Sequence, residues 1–270
     1  MKEMAARTDV IKSAGRIFDV LEYFDTVERA VGLTELVERF RFPQSSAAAI
    51  LKSLVVLGYL YHDRATRTYL PTARLAHLGT WASTLLIDRD EVIQLVTHLS
   101  RAVEETVVLG VQNDLMAQYI YVQLAARSVV YYNKPGGLRA MCSSGVGWAL
   151  LSTLNDEAVR RLIIRHNAAE ENRTLRLDPN QLLSTIADAR RTGYAFSRGA
   201  VSPGVGMIAM PLPGDRRSRT LAIGVGGPLQ RLEEQKTSIV REMRSAIKTY
   251  ISSSPEPTSA RLRRPKGAST

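Results

Sequence analysis

The sequence predicts an α+β protein of two domains, a small helix-rich one and a larger one in which strands and helices alternate. Three observations predict it. Apolar residues recur at helical spacing three times before residue 58, and two short β-prone runs around a polar turn follow at once. From about residue 88 to 251 strand patterns alternate with helix patterns. The 270 residues, 45% hydrophobic and 23% charged, suffice for two ordinary cores.

The first helix signal runs from about Val10 to Tyr23, where Ile11, Ala14, Ile17, Phe18, Leu21 and Phe24 mark the apolar positions. Thr34 reads as the N-cap of a short second helix carrying Leu36, Val37 and Phe40, with Glu35 favourable in its first turn. Arg41-Phe42-Pro43 is a turn, and Pro43 fits the first position of a third helix, where its missing N–H costs nothing. That helix carries Ile50, Leu51, Leu54 and Val55 to about Leu57, and Gly58 supplies the positive φ of a helix end. Tyr59–Tyr61 and Thr68–Leu70 are strands around a polar turn at 62–67. Helix, helix, short turn, helix and hairpin is the order of a winged helix-turn-helix.

A linker helix from Thr72, with Leu75, Leu78, Trp81, Ala82 and Leu85, leads out of this domain. A helix from Asp88 or Asp90, strands at Thr106–Val111, Gln118–Gln123 and Val129–Tyr132, helices at Ser144–Ser152, Asp156–Arg165 and Pro179–Arg191, strands at Tyr194–Ser197, Gly206–Met210 and Leu221–Val225, and a last helix from about Arg231 to Ile251 follow. The expected division is 1–71 winged helix-turn-helix, 72–87 linker helix, 88–251 mixed α/β domain with one central sheet, and 252–270 a disordered tail rich in Ser, Pro and basic residues.

Composition excludes several classes of function. No apolar run approaches the ~18 residues of a membrane span, and Met1-Lys2-Glu3-Met4 opens no secretory signal. A single cysteine, Cys142, forbids an internal disulfide framework and fits a reducing, cytoplasmic setting. The net charge of +10 invites a polyanion, but it is spread along the chain: residues 1–80 hold 11 basic and 9 acidic groups. His62, His77, His98 and His166 are scattered, Cys142 has no CxxC partner, there is no phosphate-binding loop, and Gly224–Gly227 lacks dinucleotide-binding spacing. No catalytic constellation, metal site or cofactor is expected.

Four stretches together resemble the isocitrate lyase regulator (IclR) type of transcription factor over about Ser13 to Tyr250. They are Ser13–Leu21; Leu33-Thr34-Glu35-Leu36 through Pro43-Gln44-Ser45-Ser46 to Leu57–Leu60; Ser143-Ser144-Gly145-Val146-Gly147-Trp148 through Leu151; and Arg191–Ala195 through Pro203–Ala209 to Gly226-Gly227-Pro228. The resemblance implies a DNA-binding winged helix joined to an effector-binding domain of GAF-like fold. It also implies homodimers through the N-terminal domains, often paired into tetramers, an operator of double-stranded DNA and an organic or aromatic acid effector.

A recognition helix needs short polar side chains near its N-terminus, and Gln44, Ser45 and Ser46 supply them. Lys52 lies further along, Arg64 and Arg67 at the wing tip, and the leading arm offers Arg7 and Lys12. Where family members carry bulky polar pairs this chain has Ala48 and Ala49, so weaker, A·T-leaning direct readout is expected unless Ala47–Ala49 merely pack helix on helix.

The resemblance places Ser144, Gly145 and Val146 in the effector pocket, facing Tyr131, Ser197, Met207, Gly224 and Gly226. Cys142 replaces a common histidine, Trp148 a lysine, Ala200 an acid, and Gly224 and Gly226 two serines. The pocket should therefore lose charge and hydroxyls and gain volume, which suits a larger, less polar effector such as an aromatic or lactone-like molecule. Two other readings stay open: an enzyme in the C-terminal domain, and a protein-interaction module built on the winged helix.

Overall fold

In the first unit, α1 (Lys12–Val27) buries Val20 and Phe24 and ends at Glu28, which adopts the left-handed conformation and donates its N–H to the Phe24 carbonyl. The chain then makes β1 (Val31–Gly32), α2 (Leu33–Phe40), α3 (Gln44–Val56), β2 (Leu60–Asp63) and β3 (Thr68–Pro71). These belong to a computed structural model that describes residues 10–79, 90–125, 136–214 and 219–251. By its contacts the chain divides into one unit up to Asp88 and another from Arg89.

Two expectations about helix starts are corrected. Thr34 is not a cap: β1 pairs with Thr68 and Tyr69, the backbone stays extended through Gly32, and α2 begins at Leu33. Pro43 is the N-cap of α3 rather than its first residue, its carbonyl accepting from Ser46 and Ala47. α3 ends at Val56 with Leu57 as its C-cap, and Gly58 takes φ +79 while Tyr59 N–H closes on the Leu54 carbonyl. The core of the unit is Val20, Phe24, Val31, Leu36, Leu51, Leu54 and Leu60. Leu36 and Leu51 are fully buried, each worth roughly 2 kcal/mol relative to exposure.

Of the linker, α4 (Ala73–His77) is described. The remaining linker positions from residue 80, the strand expected at Val129–Tyr132 and the tail at 252–270 lie outside the described residues.

The second unit is built on one antiparallel sheet of six strands in the order β6-β5-β4-β9-β8-β7. Its elements are α5 (Asp90–Val103), β4 (Thr106–Asn113), β5 (Met116–Gln123), β6 (Leu138–Ala140), a 3₁₀ turn at Met141–Ser143, α6 (Gly145–Leu151), α7 (Asp156–Ala169), a 3₁₀ turn at Arg173–Leu175, α8 (Pro179–Thr192), β7 (Ala195–Arg198), β8 (Val205–Pro211), β9 (Leu221–Pro228), α9 (Leu229–Glu234) and α10 (Lys236–Tyr250). Strand alternation divides the side chains between two cores. Val108, Met207 and Ala209 join α6, α7 and α8 on one face; Val107, Leu109, Ile208, Ile223 and Val225 join α5, α9 and α10 on the other. Side-chain caps start three of these helices: Ser144 on Gly147, Asn155 on Ala158 and Asp178 on Asn180. The expected single last helix is two, broken at Gln235 (φ −99, ψ 6). The buried Glu105 carboxylate holds Arg231 at two nitrogens and so pins α9 to the start of β4.

Candidate functional site

Each unit presents one candidate surface. In the first, α3 buries Ala47, Leu51 and Leu54 and turns Gln44, Ser45, Ala49, Lys52 and Ser53 to solvent, with Ser46 and Ala48 half-buried. Packing between helices therefore explains Ala47 alone; Ala49 is exposed. The first amides of α3 have no intrahelical acceptor, and with Gln44 and Ser45 beside them they suit base edges and phosphates.

The wing is a real hairpin. The Asp63 carboxylate accepts from Ala65 N–H at 2.8 Å, which shapes the tip and holds its own pKa below the usual carboxylate value, and Arg67 takes φ +55. Arg64 and Arg67 are both exposed at this tip. Lys12 is exposed at the start of α1, and Arg7 lies outside the described residues. Sequence reasoning missed two further cations: Arg41, exposed with φ +53 in the turn before α3, and Arg16, stacked 5.0 Å over the Phe42 ring. Their signal was the basic and aromatic character of the turn. The Glu35 carboxylate, expected to complement the α2 dipole, also accepts from Arg29 at 2.6 Å and Tyr23 at 2.7 Å, which lowers its pKa.

In the second unit a shallow open cleft lies between Tyr119, Arg139, Gly145, Ser197, Val201, Val205, Gly206 and Met207. Gly145, Ser197 and Met207 were expected there. Ser144 is buried behind it, its Oγ accepting from Gly147 N–H and donating to the Ala140 carbonyl at 2.9 Å. The amides of Gly145 and Val146 are left without intrahelical acceptors. The Ser197 hydroxyl makes no hydrogen bond among the described residues. Tyr131 lies outside them.

Three expectations about this site are corrected. Val146 points into the core, near the positions a side chain would take at Gly110 and Gly224. Gly224 and Gly226 do not open volume, because Met207 fills it: a Cβ at Gly224 would fall 2.6 Å from Met207 Sδ, and one at Gly226 2.8 Å from its Cε. Nor is the cleft stripped of charge and hydroxyls, since Arg139 and Ser197 line it. Arg139 and Tyr119, with the guanidinium 5.8 Å from the ring centroid, are the site residues that sequence reasoning missed. The Trp148 indole N–H donates to the Cys142 backbone carbonyl at 2.9 Å, and burial pushes the Cys142 thiol up to about 11. Among the described residues no three His, Cys, Asp or Glu side chains converge as metal ligands.

Residues 13–64 match the family model described as the IclR helix-turn-helix domain, and residues 88–252 the one described as the bacterial transcriptional regulator IclR C-terminal domain. The chain is 25% identical over 238 residues to the HTH-type transcriptional regulator KdgR of Escherichia coli, covering 87% of this chain and 89% of that protein. Its fold is similar to the crystal structure of Thermotoga maritima IclR, with a TM-score of 0.68, 16% identity and coverage of 88% of this chain and 98% of that one. It is also similar to the crystal structure of an IclR homologue from Microbacterium hydrocarbonoxydans complexed with 4-hydroxybenzoate. There the TM-score is 0.67, the identity 22%, and the coverage 90% of this chain and 100% of that one.

Proposed function

The chain belongs to the IclR family of bacterial transcriptional regulators, which join a DNA-binding helix-turn-helix to an effector-binding domain, and from that premise we propose how its two surfaces divide the work. α3 reads an operator in the major groove through Gln44, Ser45 and Ser46, while Lys52, Arg64, Arg67, Lys12 and Arg7 hold phosphates or the minor groove. The observation that carries this is the division of α3 itself: Ala47, Leu51 and Leu54 are inside, and the polar N-terminal residues and Lys52 are outside. The relatives are transcriptional regulators, and the chain is a regulator rather than an enzyme. It works in the cytoplasm, where its operator is.

The operator is bound by a homodimer. Phe18 on α1 and Ile11 just before it are 60% and 73% exposed, apolar surface that an isolated unit leaves in water. The effector is an organic acid, aromatic acids included. Its carboxylate meets Arg139 and the Ser197 hydroxyl in the cleft, and its apolar part lies against Met207 and Gly145. Effector binding favours one of two dimer arrangements, and residues 72–87, the covalent connection between the units, carry the change.

Selection from random duplex DNA at physiological salt tests this. The expected winner is an inverted repeat preferred by 10³-fold or more over a scrambled duplex. A preference near one, with a steep salt dependence uniform across sequences, would leave only generic electrostatics and overturn the reading.

A further inference from the structure

The exposed side of α3 is a straight stripe. At about 100° per residue, Ser45, Ala49, Lys52 and Val56 fall within about 60° of one another, and all four are exposed. The buried residues Ala47, Leu51 and Leu54 occupy a sector of similar width on the opposite side. The stripe carries a single charge, Lys52, and α3 has no acidic residue, so nothing on it repels a polyanion. Ser53, at its border, donates its hydroxyl to the Ala49 carbonyl at 2.8 Å, which leaves the surface between Ala49 and Val56 without a free hydroxyl proton for a base edge.

Val56 is 77% exposed, more than any other large apolar side chain among the described residues. It is not part of the core of the unit, and valine is a poorer helix former than alanine. A lone exposed apolar residue needs no account. Val56 is not alone: it lies in line with the Ala49 methyl, two turns along the same face and about 10 Å away along the helix axis. That face is the one a recognition helix turns toward the floor of the major groove. The apolar group a base pair offers there is the C5-methyl of thymine.

We propose that Ala49 and Val56 are specificity-determining residues, each packing on a thymine methyl in the major groove, so that an operator half-site is read as two thymines separated by about two or three base-pair steps. This rests on the reading of α3 as a recognition helix and deepens it by naming the bases. The spacing follows from the helix: side chains about six or seven residues apart on a recognition helix reach bases about two or three steps apart. Polar contacts stay at the N-terminal end, with Gln44, Ser45 and Ser46. The later turns select by burying methyl groups, and cytosine, which has no methyl at that place, is rejected. Burial of one methyl is worth about four-fold in affinity. Each contact therefore tunes selectivity, while the phosphate contacts supply most of the binding.

The test uses the duplex selected from random DNA. Each thymine is replaced in turn by deoxyuridine, which removes the methyl and keeps the base pairing, and affinity is read by fluorescence anisotropy for the full chain, Val56→Ala and Ala49→Gly. In the parent, deoxyuridine at two thymines per half-site, about two or three steps apart, should weaken binding about four-fold each, and elsewhere it should change nothing. Val56→Ala should abolish the effect at one of the two positions and keep it at the other; Ala49→Gly should do the reverse. Val56 is exposed, so its truncation leaves the fold intact. Loss of helix in Ala49→Gly would weaken all duplexes alike and leave the thymine-to-deoxyuridine ratios where they were, unlike loss of a methyl contact. If the selected duplex is preferred over a scrambled one but no deoxyuridine weakens it, the methyl contacts are refuted and the recognition-helix reading stands. If the deoxyuridine effects survive both substitutions, other residues meet the methyls and the inference falls. If no duplex is preferred at all, the recognition-helix reading fails and takes the inference with it. If Val56→Ala changes the sedimentation of the free protein and leaves the ratios alone, Val56 covers a second copy and its assignment to DNA is overturned.

Discussion

Gly147 lies inside a helix, where alanine would ordinarily be an improvement of about 1 kcal/mol. The structure reverses the sign. A Cβ at Gly147 would stand inside the van der Waals shell of the Met141 carbonyl oxygen and 2.7 Å from the carbonyl carbon and Cα of the same residue. These are backbone atoms of the 3₁₀ turn leading into α6, and Met141 itself is fully buried. The turn cannot yield without moving Cys142, whose carbonyl holds the Trp148 indole, or Ser144, whose hydroxyl caps the helix. Overpacking of this kind costs about 1–3 kcal/mol, and strain on the cap adds about 1. Gly147→Ala should therefore destabilise the second unit by roughly 2–4 kcal/mol. With a urea dependence of about 2–3 kcal/mol/M that is a fall in midpoint of roughly 1 M, followed through Trp148 fluorescence. The matched control is Gly15→Ala in α1, where the nearest heavy atom would be Val10 Cγ1 at 3.6 Å and φ is ordinary. It should stabilise the first unit by about 0.5–1 kcal/mol. A neutral or stabilising effect at Gly147 would refute the argument that the glycine is there for close approach.

The Cys142 thiol, raised to about 11, should be roughly 0.1% thiolate at pH 8 and essentially unreactive to iodoacetamide until the unit is unfolded, as mass spectrometry of labelled native and denatured protein would report. Glu35 is held below its usual value by Arg29 and then Tyr23, so its contribution to the first unit is complete above the usual carboxylate pKa and is lost as pH falls through the depressed one. Glu35→Gln should accordingly flatten the acid limb of that unit's stability curve, and an unchanged acid limb by circular dichroism would contradict the assignment. In DNA binding, Lys52→Ala should weaken all sequences alike and reduce the salt slope by about 1, whereas Gln44→Ala should cost about 1–3 kcal/mol and relax selectivity at one base pair; competition binding over a salt series separates the two patterns.

Much of the first unit was legible in the sequence because its signals are local. Leu51 and Leu54 sit at helical spacing, Gly58 takes the positive φ that its place after a helix suggests, and the wing turn coincides with the polar run at 62–67. What escaped depends on partners distant in sequence. β1 is two residues long and exists by pairing with Thr68 and Tyr69, so no periodicity announces it, and α2 begins directly after it at Leu33, ahead of Thr34. β6 joins the cleft through pairing with β5, which is why Arg139 and Tyr119 were not foreseen as neighbours. The pocket expectation failed for the same reason. Serine replaced by glycine reads as added volume, and only the registry of β8 on β9 reveals that Met207 lies in that volume.

The order of the sheet has a consequence for how the chain is made. Its two halves are three-stranded antiparallel runs, β4-β5-β6 and β9-β8-β7, joined along the β4–β9 seam. A ribosome releases β4 roughly 115 residues before it completes β9, because β5 to β8 and the helices α6, α7 and α8 lie between them. At about 5–20 residues per second that interval is about 6–23 s. Throughout it Thr106–Val111, which is buried at every position in the finished fold and carries neither charge nor proline, has one edge unpaired. Such an edge is a template for any similar strand, including the same strand on a neighbouring nascent chain. Translation speed between the two strands thus sets how long each new copy is exposed to misassembly, and the seam that holds the effector unit together is protected only once β9 has been made.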